Sequence, residues 1–153
     1  MVLDDVEKAG NFSEGLFKFE NEDGFWGFKD INGTTVIKPR YDKVNSFREG
    51  FALVYQNIDD EKQIGFIDKT GNIVFPFTGR YKEINDFSNG LATFKKNDFI
   101  GALNKNFEEV FKNDEWREIY PFQGQHTTVK GKDKEFGLID KEGEYIIKTR
   151  EKR

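Results

Sequence analysis

Apolar and aromatic residues in this chain fall in short runs bounded by turn-forming residues, and no stretch holds a 3.6-residue period long enough to build a helix of any length. Near the N-terminus the runs are Leu16-Phe17-Lys18-Phe19, Phe25-Trp26-Gly27-Phe28-Lys29 and Thr34-Thr35-Val36-Ile37. Near the C-terminus they are Thr127-Thr128-Val129-Lys130, Phe136-Gly137-Leu138-Ile139 and Tyr145-Ile146-Ile147-Lys148. β-Branched and aromatic stretches of this length predict strands, and their spacing predicts three-stranded meanders. The chain is therefore read as all-β.

The runs belong to a larger repeat of about 35 residues, which sets the fold before any single element does. A Phe-x-x-Gly element stands at Phe12–Gly15, Phe47–Gly50 and Phe87–Gly90, with a degraded copy at Phe122-Gln123-Gly124-Gln125. A strand glycine follows in Trp26-Gly27-Phe28, Ile64-Gly65-Phe66, Ile100-Gly101-Ala102 and Phe136-Gly137-Leu138. Next comes a turn, Asp30-Ile31-Asn32-Gly33, Asp68-Lys69-Thr70-Gly71, Asn104-Lys105-Asn106-Phe107 or Asp140-Lys141-Glu142-Gly143. An aromatic segment closes the unit, as Tyr41-x-x-Val44-x-x-Phe47, Tyr81-x-x-Ile84-x-x-Phe87 and Trp116-x-x-Ile119-x-x-Phe122.

These elements together resemble the WG-repeat family of bacterial β-rich repeats. Its unit carries W-G-[FY]-I-D-x-x-G, then V-I-x-P-x-Y-D, then F-x-E-G-L-A. Trp26-Gly27-Phe28-Lys29-Asp30 and Ile37-Lys38-Pro39-Arg40-Tyr41-Asp42 follow that pattern, the second unit puts Ile64 in place of Trp, and the third departs furthest. The resemblance runs over about residues 12 to 150. It implies a repeat scaffold and no known active site.

The expected organisation is one repeat domain over residues 1–153, with units at about 12–46, 47–86, 87–121 and 122–153 and a cap at 1–11. A single unit cannot bury its own apolar face, so units stack, as an open array or, alternatively, as a closed propeller-like ring. The cap holds Val6-x-x-Ala9-x-x-Phe12, a partial copy of the aromatic segment. Repeated residues are read as structural: Gly15, Trp26, Gly27, Gly33, Tyr41, Phe47, Gly50, Gly65, Gly71, Tyr81, Phe87, Gly90, Gly101, Trp116, Phe122, Gly137 and Gly143. Three local expectations follow. The strand glycines mark bulges or close approach to a neighbouring repeat. The aromatic segment is an irregular or 3₁₀ turn. In the third unit Asn106 supplies the left-handed turn residue in place of glycine and shifts the register.

Composition narrows function mainly by exclusion. The 153 residues hold no cysteine and one histidine, which removes thiolate chemistry and the usual zinc spacings. Acidic residues outnumber basic ones, 28 to 24, for a net charge of −4, against nucleic-acid and anionic-membrane binding. Seventeen phenylalanines provide a core despite a modest apolar fraction. The acidic N-terminal residues lack the apolar stretch of a signal peptide, so the expected location is cytoplasmic.

Candidate chemistry is weighed against the repeat, since a residue type recurring at one repeat position is structural. Glu14 and Glu49 are of the residue type of an acid/base pair but occupy equivalent positions in successive units, which makes them turn or capping groups. His126 has only the repeat-embedded Ser13, Ser46 and Ser88 as nucleophile partners, so no triad is expected. Neither an enzyme nor a cofactor is expected. What breaks the repeat is the long loop Gln56–Gln63, the insertion Phe77-Thr78-Gly79 and the segment Asn113-Asp114-Glu115. Insertions map to loops and often to a binding face. Asp59, Asp60, Glu61, Phe77, Asp114 and Glu115 are therefore the candidate binding residues. The expected function is a protein-interaction module with a basic partner, with two alternatives: an immunity protein neutralising a basic toxin, or a glycan or cell-wall binder using exposed aromatic rings.

Overall fold

The computed structural model describes residues 12–132 and 135–150, and among them there is no helix. The chain forms four antiparallel sheets, each an open meander. The first is β1 (Leu16–Glu20), β2 (Trp26–Asp30) and β3 (Thr35–Tyr41). The second is β4 (Lys43–Val44), β5 (Phe51–Ile58), β6 (Glu61–Asp68) and β7 (Ile73–Thr78). The third is β8 (Glu83–Ile84), β9 (Ala92–Lys95), β10 (Ile100–Leu103) and β11 (Glu109–Asn113). The fourth is β12 (Trp116–Ile119), β13 (Thr127–Gly131), β14 (Glu135–Ile139) and β15 (Tyr145–Arg150). The sheets divide between two compact units, one ending at Gly79 and one beginning at Arg80. The expected cap at residues 1–11, with Val6 and Ala9, lies outside the described residues.

Turn chemistry builds each meander. The Asp30 carboxylate accepts from Asn32 N at 2.9 Å and Thr34 N at 3.0 Å, and Gly33 takes φ +79°. Asp68 with Gly71 and Asp140 with Gly143 repeat the arrangement. The third sheet differs from expectation. Phe107 itself takes the left-handed conformation at φ +62°, while Asn104 Oδ1 accepts from Asn106 N and Glu108 N as the aspartates do. The turn keeps its shape because Phe107 N donates to Asn104 O at 2.9 Å and its ring meets Phe87 edge-on at 5.8 Å.

The aromatic segment is a strand, not an irregular turn. Lys43 and Val44 pair with Tyr55 and Val54, and Glu83 and Ile84 with Lys95 and Phe94. Flanking amides extend the ladder, with Asp42 N donating to Tyr55 O and Asn45 N to Leu53 O. This gives three of the sheets a fourth strand beyond the expected three.

Strand glycines answer to their own sheet rather than to a neighbouring repeat. A β-carbon on Gly27 would lie 2.3 Å from Ile37 O, on Gly65 2.9 Å from Phe75 O, and on Gly101 2.1 Å from Phe111 O. In each case the crowding atom belongs to the adjacent strand, and the register slips by a bulge at Gly27 and Gly65 and just beyond Gly101, between Ala102 and Leu103.

In the first unit the core holds Leu16, Phe28, Ile37, Tyr41, Val44, Phe47, Ala52, Val54 and Ile67, drawn from both of its sheets. Phe47 packs on Phe28 at 4.7 Å between centroids. In the second unit Leu91, Ile100, Ala102, Trp116, Ile119, Phe122, Val129 and Ile139 do the same. Successive repeats are also stitched by hydrogen bonds: Ser13 Oγ donates to Phe47 O, and Ser88 Oγ to Phe122 O, both at 2.6 Å. Of the two tryptophans, Trp116 is buried, whereas Trp26 is half-buried at the edge of its core.

Candidate functional site

The β5–β6 hairpin is the main departure from the repeat. Its register runs from Phe51↔Asp68 through Tyr55↔Ile64 and on to Ile58↔Glu61, while β9 and β10 stop at Lys95↔Ile100. The extra pairs carry the hairpin about 10 Å further at strand rise. Its two-residue turn is Asp59-Asp60, at φ +53° and +63°. Positive φ at both central residues is the type I′ pattern, which matches strand twist but suits Asn-Gly far better than Asp-Asp. Two adjacent carboxylates are thus held exposed at a tip that local conformational preference does not favour, with exposed Glu61 beside them. Asn57 N donates to the Asp42 carboxylate at 2.7 Å and anchors the arm.

Phe77, from the other insertion of that repeat, comes to the base of this hairpin. Its ring packs on Tyr41 at 6.2 Å, and Phe77 lines one concavity of about 380 Å³ with Arg40, Tyr41, Gln56, Ile58 and Ile73. The fold therefore brings Asp59, Asp60, Glu61 and Phe77 into one region of the first unit. Asp114 and Glu115 belong to the second unit, in the β11–β12 link. There Asp114 lines a concavity of about 400 Å³ among Lys82, Lys95, Lys96, Arg117 and Lys132. Its surroundings are basic, so it does not present an acidic tip of the expected kind. Glu115 sits with Lys132, Glu135 and Lys148.

Glu14 and Glu49 are turn residues. The Glu14 carboxylate accepts from Glu49 N at 2.5 Å and Gly50 N at 2.8 Å, and Lys69 Nζ stands 3.5 Å away. Burial alone would raise its pKa, but the two amide bonds and the Lys69 charge outweigh that and hold it below its ordinary 4.5. A depressed carboxylate pKa contributes stability above the unfolded value and loses it as pH falls through the folded one. The urea midpoint of the first unit is expected to fall as pH drops below 4.5, and Glu14→Gln to lower the midpoint near neutrality while flattening that acid dependence. Denaturation curves over about pH 3 to 7 check this.

Tyr81 and Glu109 form the most perturbed pair among the described groups. Tyr81 Oη donates to Glu109 Oε2 at 2.7 Å, and Lys96 Nζ meets the same oxygen at 2.5 Å. Burial, then the Glu109 bond and charge, push the Tyr81 phenol well above its usual range. Burial would raise Glu109 as well, but the Lys96 and Tyr81 bonds bring it below the usual carboxylate value.

Lysines stand over three of the rings that a glycan could use. Lys18 lies over Trp26, Lys43 and Lys62 over Tyr55, and Lys130 over exposed Tyr120, at 5.0 to 5.8 Å. Each lysine competes for a ring face on which a sugar would stack. His126 is exposed in the turn paired through Gln123.

Residues 26–57 and 64–98 match the family model of the WG containing repeat. These two stretches are WG repeats. Each WG repeat begins at the strand glycine, at Trp26-Gly27 and Ile64-Gly65, and runs through two strands of one sheet into two strands of the next. Repeat and sheet are thus out of phase by half a sheet. No curated protein matches this chain significantly. Among solved structures it is similar to BamB from Moraxella catarrhalis, with TM-score 0.55 and 14% identity over 97% of this chain and 50% of that one. It is also similar to Hsv2 from Kluyveromyces marxianus, with TM-score 0.51 and 7% identity over 83% of this chain and 45% of that one. The WD40 beta propeller domain of Doa1 matches at TM-score 0.47 and 13% identity, over 90% of this chain and 52% of that one. The chain spans about half the length of these structures. At such identities the likeness concerns fold alone.

Proposed function

We propose that this WG-repeat chain is a non-enzymatic protein-interaction module that presents the β5–β6 hairpin to a basic partner. The observation that carries the reading is the convergence of both insertions of the second repeat on one region, with Asp59, Asp60 and Glu61 exposed at the hairpin tip and Ile58, next to them in the chain, lining one recess with Ile73 and Phe77. Acidic groups at the tip near a recess with apolar walls suit a partner whose basic groups steer the approach and whose apolar residue docks. Neutralisation of a basic toxin is the narrower form of the same reading and makes the same demand on the hairpin.

The test uses a triple variant, Asp59→Asn, Asp60→Gly and Glu61→Gln, which removes the charges while supplying the turn residues that the backbone prefers. It is expected to be more stable than wild type, by roughly 0.5–1 kcal/mol, so a loss of binding cannot be blamed on unfolding. Wild-type bait from the source cell should enrich basic proteins that the variant does not hold and that about 0.5 M salt releases. If both baits capture the same set, or neither captures any, the hairpin is not the contact face.

A further inference from the structure

The two units treat one structural position differently. In the second unit the Glu109 carboxylate is held by Tyr81 Oη and Lys96 Nζ. Register identifies the counterparts in the first. Tyr41 and Tyr81 open equivalent aromatic segments, each preceded by an arginine, Arg40 or Arg80. Val54 faces Gly65 as Phe94 faces Gly101, so Gln56 stands where Lys96 does. Ile67 faces Ile73 as Leu103 faces Glu109, so Ile73 stands where the carboxylate does.

The first unit therefore keeps the phenol, a polar side chain and the neighbouring arginine, but an isoleucine replaces the acid. Tyr41 is only 3% exposed, and its hydroxyl and Gln56 Oε1 are both buried without a hydrogen-bond partner. Both residues line the 380 Å³ concavity, whose wall is completed by Arg40, Ile58, Ile73 and Phe77. Two stranded polar groups beside one arginine in a recess otherwise walled by Ile58, Ile73 and Phe77 are the usual arrangement of a ligand site.

We infer that this recess binds the carboxylate of a ligand with a short branched apolar stem, the carboxylate taking the place that Glu109 fills in the other unit. Tyr41 Oη donates to one oxygen. The Gln56 carboxamide, turned about its soft terminal torsion, donates Nε2 to the other. Arg40 supplies the countercharge. The stem covers Ile58 and Ile73, which are 36% and 52% exposed and which a water molecule would leave uncovered. This shares the apolar walls with the partner-binding reading but does not need the acidic tip, since none of Asp59, Asp60 and Glu61 lines the recess.

The test is a ¹H–¹⁵N titration of the full chain with sodium 4-methylpentanoate, and separately with a short peptide ending in a free C-terminal leucine. Saturable shifts are expected at the amides of Gln56, Ile58 and Phe77. Binding should weaken at least about tenfold with 4-methylpentanamide or with Tyr41→Phe, the loss of one charge-assisted contact. Ile73→Glu provides the protein's own carboxylate on an exposed strand position and should abolish binding with the rest of the spectrum unchanged. If the peptide binds and its amidated form does not, the natural source is a chain terminus. If only the free acid binds, it is a small molecule. Unsaturable shifts, equal binding of the amide, or undiminished binding to Ile73→Glu would each overturn the inference.

Discussion

Gly101→Ala is expected to disrupt the second unit, at a cost of at least about 3 kcal/mol. The new methyl would sit 2.1 Å from Phe111 O, 2.7 Å from Phe94 Cζ and 3.1 Å from Lys112 Cα. Two of these atoms are backbone, and the third belongs to a ring buried to 1% exposure, so no flexible side chain can swing aside. Relief requires parting β10 from β11, which breaks the ladder beside the core. Gly90→Ala is the instructive comparison. Nothing lies within 4 Å of its added carbon, but φ is +86°, so only the left-handed penalty of about 1–2 kcal/mol applies. Urea denaturation of the two variants should separate steric from conformational need at two glycines of the same sheet region, one in a turn and one in a strand. Equal losses would show that the close approach at Gly101 is not maintained in solution.

Phe47→Ala is expected to cost about 3–5 kcal/mol through the cavity it leaves. The side chain is fully buried between the two sheets of the first unit, edge-on to Phe28. Phe12 holds the same position in its own Phe-x-x-Gly element, yet is 49% exposed, and Phe12→Ala should cost less than about 1 kcal/mol. Hydrogen exchange read at β4 to β6 would report the first loss directly. A small effect at Phe47 would mean that the sheets are not held by their shared aromatic core.

The contrast between Phe12 and Phe47 also marks how far the sequence could be read. The period and the hairpins with their Asp and Gly turn residues were legible because each rests on local chemistry repeated several times. The strand character of Tyr41-x-x-Val44 was not, since two paired residues leave no visible alternation and their partners lie in the next hairpin. The left-handed Phe107 was missed for a related reason. Asn106 has the better local preference, but the turn is fixed from outside by Asn104 and by the ring of Phe87.

At the candidate site the sequence exposed the insertions, because they interrupt the period, and not the recess beneath them. Tyr41 looked structural from its recurrence, and Ile73 drew no notice. The signal lay in one column, two residues beyond the strand glycine across the ladder, where Ile73, Glu109 and Tyr145 face Ile67, Leu103 and Ile139. Reading it needs the bulged register. In the fourth sheet the same column again satisfies its anchor, with Trp116 Nε1 donating to Tyr145 Oη at 2.7 Å.

The half-sheet offset between repeat and sheet has a consequence for how such genes can change. Because the second sheet joins the end of one matched repeat to the start of the next, copying or deleting a whole period there rebuilds an intact sheet wherever in the period the breakpoint falls. Unequal recombination between units therefore needs no privileged boundary. Copy number can drift while the hydrogen-bonded interior stays the same, and selection is left to act on what each copy displays at its hairpin tips.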